Sequence, residues 1–303
     1  MNVNIQHMRA CLIATGSPET ENWRVLWARL CANPTHPQRL AIERQFGRVF
    51  PAPMKNERQL QEVCAVTSMS PSDKRLERQL EVVKSWKEFG LHVVSVNTSS
   101  EIATLKDMFP EVEFIASECD VSLFARKTQS IKRLVDIGRT VARSVLLINS
   151  DIETIGSNAI VNRCVVEQRG MVGIRHNYDD EIGAAICELW GIDVFLVPPQ
   201  VEVPELGFVI GRPMWDYWMC WLLENSEPKM EWVGAPLFFH KNHELNWTTS
   251  EWTLGSDAFI AHYGVDIDWE RWRRDRPFGV NYQRRLARLA SANVKGDVST
   301  AGS

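Results

Sequence analysis

The sequence predicts an α/β protein with a mostly parallel sheet that is flanked by helices. Short apolar runs alternate with longer amphipathic segments from residue 61 onward, which is the pattern of βαβ units. The short runs are apolar at almost every position, as expected of parallel strands that are covered on both faces. In the longer segments apolar residues recur every three or four positions, as they do on helices that pack against a sheet.

The first half of the sheet begins with a predicted strand at Val63–Thr67, a short run rich in β-branched residues that ends in serines and a proline. Ser72 or Asp73 is expected to cap the helix that follows, and Gly90 to end it. Further strands are predicted at residues 91–96, 112–116 and 145–148, and further helices at residues 101–108 and 124–143.

The second half alternates less regularly. It predicts helices at residues 158–168 and 215–223, the second of them rich in tryptophan, and strands at residues 171–175, 194–197 and 233–239. We divide the chain into a helical N-terminal extension at residues 1–60, an α/β domain at residues 61–275, and a basic helix (282–290) followed by a disordered tail within residues 276–303.

Composition excludes several classes of function. The 303 residues carry 34 Lys and Arg against 38 Asp and Glu, a net charge of −4, whereas nucleic-acid binding requires a basic surface. No apolar run approaches the roughly 18 residues of a membrane span, so no integral membrane segment is expected. Seven cysteines are scattered without a C-x-x-C pair, which favours free thiols and a cytoplasmic location.

The strongest local signal for chemistry is the polar turn that follows the strand at 145–148. Four apolar residues end at Asn149, Ser150 and Asp151, and ligands of open parallel sheets bind beyond the carboxyl ends of strands. A carboxylate at this place could hold a divalent cation that also binds a diphosphate. The alternative is a turn or helix cap, which Asp often forms.

A second signal is Asp216, which follows Gly211, Arg212 and Pro213 near the start of the tryptophan-rich helix. A carboxylate buried beside tryptophans could serve as a general base with a raised pKa, and Trp215 could stack on a sugar or a nucleobase. The alternative is an acid that complements the helix dipole, with the tryptophans in the core.

A third signal is a pair of histidines after the strand at 233–239. His240 and His243 are three residues apart and can reach one metal ion, although a structural role for at least one of them is the alternative. Asp193 is a further acid at a strand edge. Neither a P-loop, a G-x-G-x-x-G fingerprint nor a G-x-S-x-G nucleophile motif is present.

Four segments in this order resemble a family of nucleotide-diphospho-sugar transferase-like proteins, which are similar to GT-A glycosyltransferases. They are INSDI (148–152), GIDVFLVPP (191–199), ELGFVIGRPMWDYW (205–218) and FFHKNHELNW (238–247). The resemblance covers residues 64–262. It implies a Rossmann-like sheet, an acidic motif after the fourth strand, and transfer of a sugar from a nucleotide-diphosphate donor to an acceptor that the resemblance does not identify.

The resemblance also implies roles for individual residues. Asp151 would be the acid of a DxD-like motif in which Asn149 replaces the first acid, and it would hold Mn²⁺ or Mg²⁺ together with His243, which we prefer over His240. Asp216 would be the catalytic base. Ser68 and Ser70 would contact the base and ribose of the donor, and Asp193 and Arg212 would line the sugar pocket, with Arg212 facing a phosphate.

Two other classes of function remain open at this point. One is a degenerate GT-A-like protein that binds nucleotide-sugars without transfer, a reading that the missing first acid favours. The other is a metal-dependent hydrolase that uses Asp151, His240 and His243.

Overall fold

The computed structural model describes residue 40 and residues 62–276, apart from 120–121, 126–127, 188–190 and 245–246. The predicted extension at residues 1–60, apart from Leu40, and the predicted basic helix and tail beyond residue 276 lie outside the described residues.

One sheet and seven α-helices make up the described part of the chain. The strands are β1 (Val63–Thr67), β2 (His92–Asn97), β3 (Glu113–Ala116), β4 (Ser144–Ile148), β5 (Ile152–Thr154), β6 (Met171–Tyr178), β7 (Ile186–Cys187), β8 (Val194–Val197) and β9 (Glu231–Lys241). The helices are α1 (Asp73–Glu88), α2 (Ser99–Leu105), α3 (Ile131–Val141), α4 (Ala159–Val166), α5 (Trp215–Glu224), α6 (Thr249–Tyr263) and α7 (Trp269–Arg274).

The strand order in the sheet is β3-β2-β1-β4-β8-β6-β9-β5, with β7 paired to β6. The first four strands are parallel, as predicted. The other half is mixed, since β8 is antiparallel to β4 and to β6, and β6 is parallel to β9. The predicted α/β fold with a sheet flanked by helices is therefore confirmed, and its parallel character belongs mainly to the half that contains β1 to β4.

The sheet is strongly curled where β4 leads into β5. Four steps of about 4.8 Å would separate these strands in a flat sheet, or roughly 19 Å. Only residues 149–151 connect them, and the chain from Ile148 to Ile152 reaches at most about 14 Å. The curl brings β9, the partner of β5, close to the carboxyl end of β4.

Alternate residues of β4 face two separate layers of core. Val145 and Leu147 point towards α3, α5, α6 and α7, whereas Leu146 and Ile148 point towards α1, α2 and α4. All five residues of β4 are buried, because helices cover both faces of the sheet. This explains why the strand appears in the sequence as an uninterrupted apolar run.

The predicted elements agree with the structure at most places in the chain. β1 and β8 have the predicted bounds, and α1 begins after Ser72 as expected. The prediction of a helix from residue 124 is wrong, since α3 begins only at Ile131, after Ser130 accepts a hydrogen bond from the backbone N–H of Arg133. Ala125 has a positive φ, which interrupts a helix at that place.

Candidate functional site

The turn that follows β4 positions Asp151 at the carboxyl end of the parallel strands. The backbone N–H of Ile152 donates to the carbonyl of Asn149 at 3.2 Å, which closes the turn. Ile152 pairs with His240 across β5 and β9. The short connection and this register together place a carboxylate and an imidazole beside each other.

Asp151, His240 and His243 form one cluster, and their candidate ligand atoms all lie within 4.8 Å of one another. Oδ2 of Asp151 lies 3.3 Å from Nε2 of His243 and 3.8 Å from Nε2 of His240. The two imidazole rings meet edge to face, with centroids 5.0 Å apart. His240 is buried, whereas His243 is exposed. The cluster is therefore accessible from one side.

Electrostatics favour an ionised carboxylate and a neutral inner imidazole in this cluster. Burial alone would raise the pKa of Asp151, but the hydrogen bond from His243 and the charges of both histidines and Arg175 hold that pKa below its usual range. Burial lowers the pKa of His240 to about 3, against the attraction of Asp151. The hydrogen bond to Asp151 raises the pKa of His243.

The donor set fits a divalent transition metal. One carboxylate and two imidazoles suit ions such as Mn²⁺, Fe²⁺, Co²⁺ or Zn²⁺, whereas Mg²⁺ prefers oxygen ligands alone. Oδ1 of Asp151 is buried and accepts no hydrogen bond, and an unsatisfied buried polar atom is costly unless something binds it. A cation bound by both carboxylate oxygens would satisfy it, so of the two ions that the sequence predicts, the residues present fit Mn²⁺ better than Mg²⁺.

A second polar group lies next to the cluster. The side-chain amide of Asn149 donates to Oδ1 of Asp193 at 2.5 Å, and Arg175 forms an ion pair with Oδ2 of Asp193. Burial and the charge of Asp193 raise the pKa of Asp216 to about 7, although Arg175 and the Tyr217 and Ile192 backbones lower it. A carboxyl group with such a pKa can accept a proton near neutral pH.

The end of β1 adjoins the same edge. Val66 pairs with Leu147, so β1 and β4 end side by side, and Ser68 and Asn149 are the first residues after these two strands. Ser70 is fixed by Gln79, whose amide donates to the Ser70 carbonyl and accepts from the Ser70 N–H, both at 2.8 Å. The hydroxyl oxygen of Thr67 is buried without a hydrogen-bond partner. Gln79 thus anchors the loop after β1 to helix α1.

Two residues predicted for the donor site lie in other surroundings. Trp215 is 2% exposed and packs edge to face on Phe195 with ring centroids 5.2 Å apart, so the core covers its ring. Arg212 forms an ion pair with Glu251 at 3.3 Å, and Glu251 belongs to the N-terminal capping box of α6.

Three further residues around the cluster were not singled out in the sequence, namely Arg175, Arg78 and Glu153. Arg175 lies at the end of a predicted strand, and only its position after an apolar run marks it. Arg78 hydrogen-bonds Glu153 at 2.5 Å and reaches the backbone carbonyl of Asp151 at 3.4 Å. Their partners are 18 to 75 positions away along the chain, a distance over which a single sequence gives no signal.

Comparison with known proteins adds two solved structures. No family model and no curated protein matches the sequence. GalNAc-T7 with UDP, GalNAc and Mn²⁺ aligns at 11% identity and a TM-score of 0.41, over 79% of this chain and 57% of the GalNAc-T7 chain. This chain thus spans little more than half the length of that protein.

The second structure is a Bacillus anthracis protein assigned as a glucose-1-phosphate thymidylyltransferase, in complex with sucrose. It aligns at 10% identity and a TM-score of 0.36, over 65% of this chain and 94% of its own. Similarity this low carries no inference about ligands. The features that the resemblance implied, an α/β sheet and an acid after the fourth strand, are both present in this chain. None of the helices in the described residues is long and apolar enough to cross a membrane.

Proposed function

We propose that this protein is a glycosyltransferase that moves a sugar from a nucleotide-diphosphate donor to an acceptor hydroxyl. The cluster of Asp151, His240 and His243 at the carboxyl end of β4 carries the proposal. It lies where ligands bind in open α/β sheets, and the buried oxygen of Asp151 lacks a partner there.

The three side chains of the cluster would hold a divalent cation. When bound, the cation supplies positive charge that offsets the negative charge developing on the diphosphate as it leaves. Compared with the sequence prediction, which named Asp151 and His243, His240 joins the ligand set. Its low pKa keeps the imidazole neutral, the state in which it binds metals.

The donor would extend from this cluster across Asn149 to the end of β1. Ser68 and Ser70 lie at that end and would contact the base and ribose, and Asp193 would adjoin the transferred sugar. Only the sequence resemblance supports Arg212 as a phosphate contact, because in the structure its charge is already paired with Glu251.

Asp216 would accept the proton of the acceptor hydroxyl. The acceptor oxygen forms a bond to the anomeric carbon as the bond from that carbon to the diphosphate oxygen breaks, and the nucleoside diphosphate leaves. A base acts best with a pKa near the working pH, and the pKa of Asp216 is raised to about 7 by burial and by Asp193.

The first experiment is thermal unfolding with UDP-, GDP-, ADP-, CMP- and TDP-sugars, with and without Mn²⁺, followed by assay of nucleoside diphosphate release. A ligand at 100 times its dissociation constant adds about 2.7 kcal/mol, which is a shift of a few degrees. We expect one nucleotide to stabilise the protein only with Mn²⁺, and Asp151→Asn to abolish both the shift and the release.

His92→Ala is the matched control, because His92 also pairs with a carboxylate, Glu113, at 2.7 Å on an exposed edge of the sheet. It should behave as the wild type does. Binding without any release of nucleoside diphosphate would replace transfer by a binding function. Metal-dependent cleavage of a simple phosphoester, with no response to nucleotide-sugars, would make the same three residues the site of a hydrolase.

A further inference from the structure

Arg175 occupies a fixed place beside the candidate metal cluster. It lies on β6, where the register with β9 shifts between Gly173 and Arg175, and such irregularities redirect side chains. Its guanidinium forms an ion pair with Oδ2 of Asp193, and both side chains are less than one-fifth exposed. An ion pair this well covered is screened little by salt.

Gly191 provides the space that this guanidinium occupies. A Cβ at position 191 would lie 2.3 Å from Nη2 of Arg175 and 2.5 Å from its Cζ, closer than any real contact. Gly191 does not have a positive φ, so no unusual backbone conformation requires a glycine at this position. Its missing side chain instead allows the guanidinium of Arg175 to come close. Any other residue would displace the guanidinium.

Asp193 connects the fixed guanidinium of Arg175 to the turn after β4. Its side chain accepts from the amide of Asn149 at 2.5 Å, and its backbone carbonyl accepts from the Asn149 N–H at 3.2 Å. Asn149 begins the three-residue turn that ends at Asp151. A continuous path of contacts therefore runs from Arg175 through Asp193 and Asn149 to Asp151.

We propose that Arg175 is a positioning residue that fixes the turn at residues 149–151 through Asp193, and so sets the affinity of Asp151, His240 and His243 for a divalent metal. The inference rests on the metal site of the proposed function. Residues that hold metal ligands in place from the next layer typically change metal affinity 10- to 100-fold when they are replaced.

The charge of Arg175 and its role in holding the turn change metal affinity in opposite directions, so suitable variants can separate the two effects. Arg175 lies on β6 two residues before Asn177, which pairs with the ligand His240 on β9, so its positive charge repels a cation bound at the cluster. If Arg175 acted through its charge alone, its removal would strengthen metal binding. If it acts by positioning, displacement of the guanidinium with the charge retained weakens metal binding.

The experiment is calorimetric titration of the metal-free full chain with Mn²⁺, together with absorption spectra after Co²⁺ addition. Gly191→Ala displaces the guanidinium and keeps the charge, and Arg175→Lys keeps the charge but loses the planar fork of donors. We expect both to bind Mn²⁺ about 10- to 100-fold more weakly and to alter the Co²⁺ spectrum. Arg175→Met should lose less, because it also removes the repulsion.

Arg163→Met is the control, because it removes an arginine from an ion pair with Glu231, which lies at the other end of β9 from His240, and it should keep the wild-type affinity. Thermal unfolding without metal identifies any variant that fails to fold, and Arg175→Lys provides the test if Gly191→Ala does not fold.

Wild-type affinity in both Arg175→Lys and Gly191→Ala would overturn the proposal, as would tighter binding by Arg175→Met. A wild type that binds neither Mn²⁺ nor Co²⁺ would instead remove the proposed function, and the inference with it.

Discussion

Nη1 of Arg78 lies 2.5 Å from Oε1 of Glu153 and joins helix α1 to strand β5. Glu153 is 3% exposed and also accepts a hydrogen bond from the hydroxyl of Tyr178. Because the same guanidinium reaches the carbonyl of Asp151, this ion pair anchors the beginning of β5 next to the candidate metal cluster. We expect this ion pair to contribute mainly to the free energy of unfolding.

Arg78→Met should lower the free energy of unfolding by about 3–5 kcal/mol, because it leaves the carboxylate of Glu153 buried without its cation. The double variant Arg78→Met with Glu153→Gln should recover much of that loss, since no unpaired charge remains. Urea denaturation near neutral pH measures both. Lys132→Met breaks an exposed pair with Asp136 and should cost at most about 0.5 kcal/mol. An equally small cost for Arg78→Met would contradict the prediction.

Asp216 should make stability depend on pH in a defined direction. Burial and Asp193 raise its pKa to about 7, above the value of about 3.9 in an unfolded chain, so folding favours the protonated form. The resulting stability is fully present below about pH 4 and is lost as pH rises through about 7. The loss is at most about 4 kcal/mol, from a shift of about three pKa units.

Asp216→Asn should remove this loss, so the variant gains stability over the wild type as pH rises from about 4 to about 8. Urea denaturation at several pH values in this window measures the difference. Asp257→Asn, at an exposed position of α6, is the matched control for the loss of one carboxylate. If Asp216→Asn follows the wild type across the whole window, Asp216 is not protonated in the folded state near neutral pH.

Gly138 brings helix α3 against the sheet. A Cβ at this position would lie 2.6 Å from Cγ2 of Val66 and 2.8 Å from Cγ2 of Val145. Alanine would gain about 1 kcal/mol of helix propensity, but overpacking of a buried contact costs about 1–3 kcal/mol. We therefore expect Gly138→Ala to destabilise the protein when it is measured by thermal unfolding.

Two further variants separate the two effects of alanine at position 138. Thr140→Ala, at an exposed position of the same helix, provides the propensity gain without the clash and should not destabilise. Val145→Ala added to Gly138→Ala opens space and should cost less than the sum of the two single changes. A net stabilisation by Gly138→Ala alone would show that α3 moves away from the sheet at little cost.

The elements that the sequence predicted best are those buried on both faces. β1 and β8 have the predicted bounds, because full burial leaves few polar residues and so a clear apolar run. β5 and β7, with three and two residues, were not predicted, since so few residues establish no pattern. α6 was not predicted either, because few of its residues are buried and its apolar positions show no consistent face.

In the candidate site, too, the residues that could be predicted are those that the local sequence marks. Asp151 could be predicted because it lies in the turn that follows a buried parallel strand, and position relative to strand ends is a local property. The choice between His240 and His243 was not necessary, since the curl of the sheet brings both to Asp151, across 92 positions in the case of His243. Arg175 depends on space left by Gly191, which only the folded chain reveals.

The sequence predicted that Trp215 could stack on a sugar or a nucleobase, whereas the structure places Trp215 in the core. Trp215 is 2% exposed, and its ring packs on Phe195. Trp215→Ala should cost about 3–5 kcal/mol of stability. Stacking of a base on an aromatic ring contributes about 1–3 kcal/mol to binding, and we expect none of this to be lost in Trp215→Phe.

The measurement is nucleotide affinity and free energy of unfolding for Trp215→Phe, compared with Trp247→Phe, since Trp247 is 38% exposed. We expect Trp215→Phe to lower stability and keep the affinity, because a smaller ring leaves a void beside Phe195 without changing the site surface. Loss of affinity at unchanged stability would instead mean that the ring leaves the core to meet the ligand. That result would restore the contact predicted from the sequence.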